Sequence, residues 1–492
     1  MADKLVQRRF LILQIDGLAH TVLETALRAG DMPTLAGLLD HERFELHRMP
    51  VGLPTSTPAF QAALMYGGPV DVPAFEFLDK RTKEYHWFPQ PWTSSHVEDI
   101  HAVEEQGIMR GGRTYGSVLS GGAADCIMTF AHLLRPSRGW WELGPRHMLA
   151  SLALVPWVTA KLAVTMLAEQ FGKVSAAGHA PLPISFKKRL LIRWLQELST
   201  VGVSMDVRAG LPALYVNFVG YDEVAHPVGP THPAVFQELR RIDRSIREIW
   251  RAVRRVPRFR YDVFVLSDHG QTPSIPFEEA SGGETAADAL LGAFGVKPDS
   301  DPARSRRGIW AGDLCLVPAG PNVNIYLTQH PTHVPERVIE ALYPGVLERL
   351  SRHAAIGLVL ARDEAGLVCY YRGTALRPPL PDGPTGCPLF DRPDRGLVLR
   401  SVSELLAMPS AGDVVVFGHY TERGCVSFVG ERGSHAGPSE EENVRRVSGG
   451  RVTSELRLVH HVARLDAPVA EFGAGVRRTG NGPSAWPGKP ST

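Results

Sequence analysis

Short apolar runs that alternate with helical patterns are the feature that most constrains the fold of this chain. Three of the runs have the length and composition of buried strands, and helical patterns follow them. They are Phe10–Ile15, Ala213–Val219 and Tyr261–Leu266. Such alternation is typical of a mostly parallel central sheet with helices on both faces. We therefore predict an α/β fold whose functional loops follow the carboxyl ends of the strands.

Residues of the types that bind metal ions lie just beyond apolar runs, which include these three and a later one at Val426–Val429. The set is Asp16, Thr57, Asp222, His226, Asp268, His269 and His435. Carboxylates, imidazoles and a hydroxyl group delivered from separate strand ends are enough to hold two divalent metal ions around an activated hydroxyl. The sequence therefore indicates phosphoryl transfer or phosphodiester cleavage.

Thr57 is the candidate nucleophile. It precedes Pro58, which suits an early helical position, and Gln61–Met65 has a helical pattern. A hydroxyl at a helix N-terminus lies near N–H groups that favour a phosphate or an alkoxide. An N-cap role for Thr57 is the alternative, and Thr55 and Ser56 compete for the catalytic role.

Composition narrows the class of protein. The chain has 53 Lys and Arg against 52 Asp and Glu, so no global field favours nucleic acid, and we expect no specific nucleic-acid binding. Its five cysteines form no C-x-x-C pair, which indicates neither a disulfide framework nor a thiolate metal site. Phe10–Ile15 is too short for the apolar part of a signal peptide. We expect a cytoplasmic protein, with the inner membrane face as a further location to test.

The pattern divides the chain into a catalytic core, two insertions and a tail. The core is predicted at 1–139, 201–275 and 411–465, a helical insertion at 140–200, a cap-like insertion at 276–410, and a disordered tail at 466–492. In the cap, a helix is predicted over Glu336–Leu350. Asp413–Phe417 is predicted to return the chain to the core. In the tail the apolar periodicity gives way to Gly, Pro, Ser and Arg.

Residues 140–200 depart from the α/β pattern. Met148–Phe171 is about as long as a membrane span, but a proline and two charged residues interrupt it. Phe186–Leu195 mixes cations with aromatic and leucine side chains, as interfacial helices do. We predict a buried or surface-lying helical hairpin. Peripheral membrane contact through 148–195 is weighed against an ordinary insertion that packs on the core.

A helix between Val235 and Val253 has the clearest amphipathic pattern. Its apolar residues recur at steps of three and four, which predicts one buried face. Six arginines fall elsewhere: Arg240, Arg241, Arg244, Arg247, Arg251 and Arg254. A nucleic-acid or lipid face is one interpretation, and we favour a solvated face interleaved with acidic residues.

Together these motifs carry a family resemblance. The matching residues are Asp16-Gly17 after the first strand, Pro54 to Thr57 with a helix up to Gly67, Asp222, His226, Gly229 and Pro230 in a D-x-x-x-H-x-x-G-P pattern, Ser267 to Gly270 as S-D-H-G, and the glycine-flanked His435. The chain resembles the alkaline phosphatase superfamily, in its type I phosphodiesterase and nucleotide pyrophosphatase branch. The resemblance covers nearly the whole chain and implies an alkaline phosphatase-like fold.

The resemblance also implies roles for the metal-binding set. One metal ion would be held by Asp222, His226 and His435, and the other by Asp16, Asp268, His269 and the Thr57 oxygen. Thr57 would attack phosphorus, and water would open the phospho-threonine intermediate. Mixed carboxylate and imidazole ligands make zinc the first choice, with manganese and iron as alternatives.

The chain departs from the family pattern in places that concern the substrate. The family places its proline two residues after the nucleophile, whereas Pro58 follows Thr57 directly. Nucleotide-cleaving members carry an asparagine that helps to hold a phosphate oxygen, and Phe75 occupies that place here. Lys80 or Arg81 would supply positive charge instead, which favours a monoester or a non-nucleotide diester; a surface role is the alternative for each. A sulfatase is disfavoured because its C-x-P-x-R pattern is missing.

We expect a two-metal phosphoesterase that acts on a small phosphate ester. A phosphodiesterase or pyrophosphatase is favoured over a phosphomonoesterase. A membrane-associated enzyme that cleaves a phospholipid head group is a further alternative. A metal-stabilised binding protein is the non-enzyme alternative, and the complete set of ligand positions argues against it.

Overall fold

The computed structural model of the protein describes residues 8–42, 44–67, 70–88, 90–102, 107–135, 141, 143–173, 184–299, 307–421 and 423–449. Its strands are β1 (Arg8–Ile15), β2 (Glu45–Pro50), β3 (Glu76–Asp79), β4 (Glu84–Trp87), β5 (Arg113–Tyr115), β6 (Asp125–Ile127), β7 (Ala213–Phe218), β8 (Arg260–Leu266), β9 (Thr272–Pro276), β10 (Ile309–Ala311), β11 (Leu314–Ala319), β12 (Asn322–Leu327), β13 (Ile356–Ala361), β14 (Val368–Tyr371), β15 (Thr374–Leu376), β16 (Val414–Gly418), β17 (Tyr420–Thr421), β18 (Gly424–Ser427), β19 (Gly433–Ser434) and β20 (Val444–Gly449).

Its α-helices are α1 (His20–Arg28), α2 (Pro33–His41), α3 (Thr57–Tyr66), α4 (Pro91–His101), α5 (Pro145–Lys173), α6 (Phe186–Ala209), α7 (Gly220–Val228), α8 (Pro233–Arg254), α9 (Phe277–Ser281), α10 (Ala286–Phe294), α11 (Glu336–Leu342), α12 (Val346–Arg352), α13 (Arg395–Ala407) and α14 (Glu440–Asn443).

The central sheet has seven strands in the order β2-β20-β8-β1-β7-β5-β6. The run from β8 to β6 is parallel, and β20 and β2 add an antiparallel edge. The mostly parallel sheet predicted from the sequence is therefore confirmed. Because β1, β7 and β8 are adjacent and parallel, their carboxyl ends meet at one edge of the sheet.

Helices cover both faces of this sheet. Alternate residues of β1 point to opposite faces, as the two-residue period of a strand requires. Leu11 and Leu13 lie in one apolar cluster with Leu239 and Ile242 of α8, whereas Ile12 lies in a second cluster with Phe60 of α3. The sheet is therefore the middle layer of a three-layer core, as an α/β fold requires.

The apolar stripe of α8 is buried, as its periodicity predicts. Val235, Leu239 and Ile242 are fully enclosed, and each such side chain contributes about 1.5–3 kcal/mol relative to exposure. Of the arginines on the other faces, Arg240 lies 2.6 Å from Asp31 and Arg254 lies 3.0 Å from Glu42. These pairs favour the interpretation of a solvated helix face interleaved with acidic residues.

A second, antiparallel sheet has the order β10-β11-β12-β16-β13-β14-β15. It differs from the sequence-based expectation in two places. The helix predicted over Glu336–Leu350 is two short helices, because Pro344 and the left-handed Gly345 (φ +71°) separate α11 from α12. Strand β16, expected to return the chain to the core, lies between β12 and β13 of this second sheet. The return to the central sheet comes later, at β20.

The region predicted as a helical insertion contains two long helices, α5 and α6. They pack through Leu154, Val158 and Leu198. Among the described residues, no helix combines the length and the hydropathy that crossing a bilayer requires. The other predicted boundaries stay predictions, and the predicted tail at 466–492 lies outside the described residues.

Candidate metal centre

The seven predicted site residues come together at the carboxyl edge of the central sheet. Asp16 follows β1, Thr57 begins α3, Asp222 and His226 lie on α7, Asp268 and His269 follow β8, and His435 follows β19. Contacts link them into one group. The Thr57 hydroxyl lies 3.2 Å from Asp16 and 3.4 Å from His269 Nε2. The rings of His269 and His435 stack with centroids 3.8 Å apart.

Asp222 and His226 lie on a helix, whereas the sequence predicted a loop. Helix α7 spans Gly220–Val228 and places them one turn apart, so that both side chains lie on one face. His226 Nε2 lies 3.0 Å from Asp222 Oδ2. The helical period therefore brings the two side chains together, which a loop with this spacing would not guarantee.

The structure distinguishes the hydroxyl groups of the three adjacent residues at the start of α3. Ser56 occupies the N-cap position, and Thr57 is the first helical residue, so Thr57 is not the capping residue. Thr55 Oγ1 accepts the N–H of Ala436 and lies 3.1 Å from Glu442 Oε2. Thr57 donates to Asp16 Oδ1. Of Thr55 and Thr57, it is Thr57 whose hydroxyl contacts the carboxylates of the site.

All three histidines present the same ring nitrogen to the site. In each, Nδ1 donates to a backbone carbonyl, because a carbonyl oxygen can only accept. The acceptors are Gly433 for His226 at 3.0 Å, Gly270 for His269 at 3.1 Å, and Thr55 for His435 at 2.7 Å. The lone pair therefore belongs to Nε2, which faces the carboxylates. This arrangement is typical of metal-binding histidines held by a second layer of hydrogen bonds.

The donor atoms form two groups that could each hold a metal ion, but the groups share the one free ring nitrogen of His269, which can bind only one ion. One group is Asp16, Asp268 and His269, and the other is Asp222, His269 and His435; within each group the donor atoms lie within 4.8 Å of one another. The first group agrees with the predicted set. In the second, His269 takes the place that the sequence-based prediction gave to His226, whose Nε2 pairs with Asp222.

The electrostatics of the site fit divalent cations. Burial, followed by the negative charges of Asp268 and Asp222, raises the pKa of Asp16 well above its ordinary value, against the hydrogen bond from Asn217 that lowers it. Among the described residues none donates a hydrogen bond to Asp268 Oδ2, although this oxygen is buried. Three enclosed carboxylates with an unsatisfied oxygen require positive charge nearby. The donor set suits metal ions.

Comparison with known proteins agrees with this geometry. The model of the family of type I phosphodiesterases and nucleotide pyrophosphatases matches residues 10–289, more than half of the 492-residue chain. The chain belongs to this family. It is a phosphoester hydrolase of the phosphodiesterase and pyrophosphatase type.

Solved structures show distant likeness to this type I phosphodiesterase family member. Phosphonoacetate hydrolase from Sinorhizobium meliloti 1021, in complex with phosphonoformate, is 16% identical with a TM-score of 0.48, over 92% of this chain and 91% of that chain. Murine ectonucleotide pyrophosphatase / phosphodiesterase 5, an inactive variant in complex with AMP, is 10% identical with a TM-score of 0.45, over 90% and 87%. No curated protein matches this chain.

Three polar residues that sequence reasoning missed support the site of this phosphodiesterase family member. Asn217 Nδ2 donates to Asp16 Oδ2 at 2.7 Å, and Gln271 Nε2 donates to Asp222 Oδ1 at 2.5 Å. Glu442 is fully buried and accepts the N–H of Gly437, which fixes the loop that carries His435. A polar asparagine inside an otherwise apolar strand was the available signal for Asn217.

The predicted substrate-binding residues of the family member have other contacts. Lys80 is buried, and its Nζ lies 2.7 Å and 2.8 Å from the two carboxylate oxygens of Asp413. Arg81 is half-exposed and pairs with both oxygens of Asp79 at 3.0 Å. Phe75 packs against Phe88 at a centroid distance of 6.1 Å. Lys80 is therefore buried and not a surface residue, and the substrate-binding role of these residues stays a prediction.

Proposed function

We propose that this protein is a two-metal phosphodiesterase that acts through a phospho-threonine intermediate on Thr57. The observation that carries the proposal is the position of the Thr57 hydroxyl. Thr57 is 8% exposed and begins α3, and its hydroxyl contacts Asp16 and His269 of one donor group. A phosphate placed against this hydroxyl would also meet the positive end of the α3 dipole.

The residues divide the reaction between them. When bound, two divalent ions, zinc by preference for this donor set, would lower the pKa of the Thr57 hydroxyl and neutralise the phosphate. Asp16 Oδ1 accepts the hydrogen bond of the Thr57 hydroxyl and so aligns its oxygen. In the first step the Thr57 oxygen forms a bond to phosphorus while the bond from phosphorus to the leaving oxygen breaks. The proton of the Thr57 hydroxyl ends on the leaving oxygen. Water then attacks phosphorus while the bond from phosphorus to Thr57 breaks; one water proton restores the Thr57 hydroxyl, and the remaining OH group stays on the phosphate product.

The ion pairs of Lys80 and Arg81 with aspartates support the proposed preference for a diester over a monoester. A monoester carries about one more negative charge than a diester at neutral pH, so a site that prefers it benefits from an extra cation. Lys80 and Arg81 were the candidates, and both are held by aspartates. Diester cleavage is therefore the activity that the described contacts support best, and the monoesterase is the second candidate.

Thr57→Ala and Thr57→Ser test the nucleophile. With bis-p-nitrophenyl phosphate as substrate, Thr57→Ala is expected to lower kcat by about 10³-fold or more, because no other hydroxyl replaces the attacking oxygen. Thr57→Ser keeps a hydroxyl group and is expected to retain measurable turnover. Equal activity of Thr57→Ala and wild type would disprove the intermediate. Preference for p-nitrophenyl phosphate over the diester would favour the monoesterase.

Elemental analysis of the same proteins tests the metal centre. About two metal ions per chain are expected if His269 binds the ion of Asp16 and Asp268, and His226 completes the group of Asp222 and His435. A separate group, Glu84, His86 and His96, also offers donors within 4.8 Å of one another, so His96→Ala is the control that removes any contribution from it. Two metal ions retained in Thr57→Ala without turnover would separate catalysis from folding. Two metal ions without turnover in wild type would instead support the metal-stabilised binding protein.

A further inference from the structure

Helix α5 has two apolar faces, and only one of them is packed. Met148, Leu154, Val158 and Leu162 are at most 8% exposed and face the protein. The other face exposes between 44% and 67% of each of its large apolar side chains: Leu149, Leu152, Val155, Trp157 and Val164. A helix on the surface of a water-soluble domain normally carries polar residues on its outer face. On α5, the large exposed side chains between Met148 and Val164 are apolar instead.

The outer face of α5 is also free of charge between Met148 and Val164. Between Met148 and Val164 the only charged residue is Lys161. Its ammonium group lies 2.6 Å from Glu197 and 3.8 Å from Glu248, so it is turned towards α6 and α8. The uncharged surface therefore extends over more than four helical turns. A continuous apolar patch of this kind marks a contact with a partner or a membrane.

Cations border this patch at one end. Helix α6 runs antiparallel to α5, since Trp194 donates to Thr159 at 3.1 Å and Leu198 packs against Leu154. The first turn of α6 therefore lies beside the C-terminal half of α5. That turn exposes Lys187 and Arg189 together with Phe186, which is 61% exposed.

We propose that the outer face of α5 and the first turn of α6 dock on an anionic membrane surface. Apolar and tryptophan side chains beside lysine and arginine are the pattern of helices that lie in the lipid interface. Anionic lipid supplies a partner for both features, because acyl chains cover the apolar face and lipid phosphates pair with the cations. The same face of a second copy would cover the apolar side chains, but neither residues 148–164 nor the first turn of α6 contains an acidic residue to pair with Lys187 and Arg189. The docking is peripheral, because no described helix is suited to cross the bilayer.

Vesicle co-sedimentation of the full-length protein tests this proposal. The vesicles are phosphatidylcholine alone or phosphatidylcholine with phosphatidylglycerol, at low and at high salt. Wild type is expected to sediment with the anionic vesicles at low salt and to be released as salt rises. The double variant Leu152→Glu with Trp157→Glu is expected to lower the bound fraction at least about tenfold, because it puts two charges on the apolar face. Lys187→Glu with Arg189→Glu is expected to abolish the preference for anionic lipid.

Arg244→Glu with Arg247→Glu is the matched control, since it makes the same charge change on the exposed face of α8 and should leave vesicle binding unchanged. Turnover of bis-p-nitrophenyl phosphate shows that each variant is folded, and the vesicle assay itself does not depend on catalysis. Absence of wild-type binding to anionic vesicles at low salt would overturn the proposal. Dimerisation of wild type in light scattering, abolished by Trp157→Glu, would assign the face to a second copy and overturn it as well.

Discussion

At the scale of single residues, the candidate metal centre includes a glycine that has no room for a side chain. Gly17 has a φ of +72°, and a Cβ atom there would lie 2.4 Å from Asp222 Oδ1. Gly17→Ala therefore displaces a carboxylate that we assign to the metal centre. We expect metal content to fall and kcat/KM for the diester to drop by about 10- to 100-fold, the usual cost of disturbing the support of a metal ligand.

Gly30→Ala is the control for backbone strain. Gly30 has nearly the same φ, +74°, but no atom lies within 4 Å of the position that its Cβ would take. Both variants should lose about 1 kcal/mol of stability from the left-handed conformation, and only Gly17→Ala should lose metal. Similar metal content and kinetics in the two variants would show that the contact with Asp222 is unimportant.

Residue-level prediction succeeded where a motif carries the chemistry and failed where a neighbouring strand supplies the contact. The sequence placed Asp16, Thr57 and His435 in one site, and the structure brings them together. Asn217 was missed because its contact with Asp16 exists only through the pairing of β7 with β1, in which Asn217 lies beside Gln14. No local spacing encodes that pairing.

At the scale of elements, a buried ion pair fastens the β3–β4 hairpin to the second sheet. Lys80 at the end of β3 holds Asp413, which also accepts the backbone N–H groups of Leu327 and Val334. Lys80→Met leaves the Asp413 charge without its partner, so unfolding free energy should fall by about 3–5 kcal/mol. Chemical denaturation measures this loss, and kcat/KM for the diester should change little.

Arg81→Met on the same hairpin is the matched control. Its partner Asp79 is buried, but the Arg81 side chain is 51% exposed, and pairs of this kind contribute about 1 kcal/mol or less. If Lys80→Met were as stable as wild type but had a raised KM, the structural role would be contradicted and Lys80 would be assigned to substrate binding.

Elements with a strong period were predictable, and elements fixed by distant pairing were not. Strands β1 and β8 and helix α8 follow directly from their apolar patterns. Helix α7 was missed because Gly220 and Pro227 at its two ends are typical of a loop. The place of β16 depends on its pairing with β12 and β13, which lie about 90 and 55 residues earlier in the chain. The sheet that contains β16 therefore could not be assigned from the residues of β16 alone.

At the scale of the whole molecule, the metal centre joins elements that are far apart in the chain. Its proposed ligands extend from Asp16 to His435 and would link the central sheet, α3, α7 and the loop after β19. Metal ions that bind only the folded state should stabilise all of these elements together. At a free concentration of 100 times Kd, one such ion adds about 2.7 kcal/mol to the free energy of unfolding. Removal of metal by a chelator should therefore lower both stability and activity, and added zinc should restore them.

Asp268→Asn separates this linkage from a general effect of zinc. The substitution keeps an oxygen that can accept the N–H of Gly17, as Asp268 Oδ1 does at 3.2 Å, but removes one of three crowded negative charges. Without metal, the variant should be at least as stable as wild type, because repulsion among the carboxylates that raises the pKa of Asp16 is relieved. With zinc, it should gain less stability than wild type. Denaturation of both proteins with chelator and with zinc measures the two differences, and an equal response to zinc would place the stabilising ion outside this site.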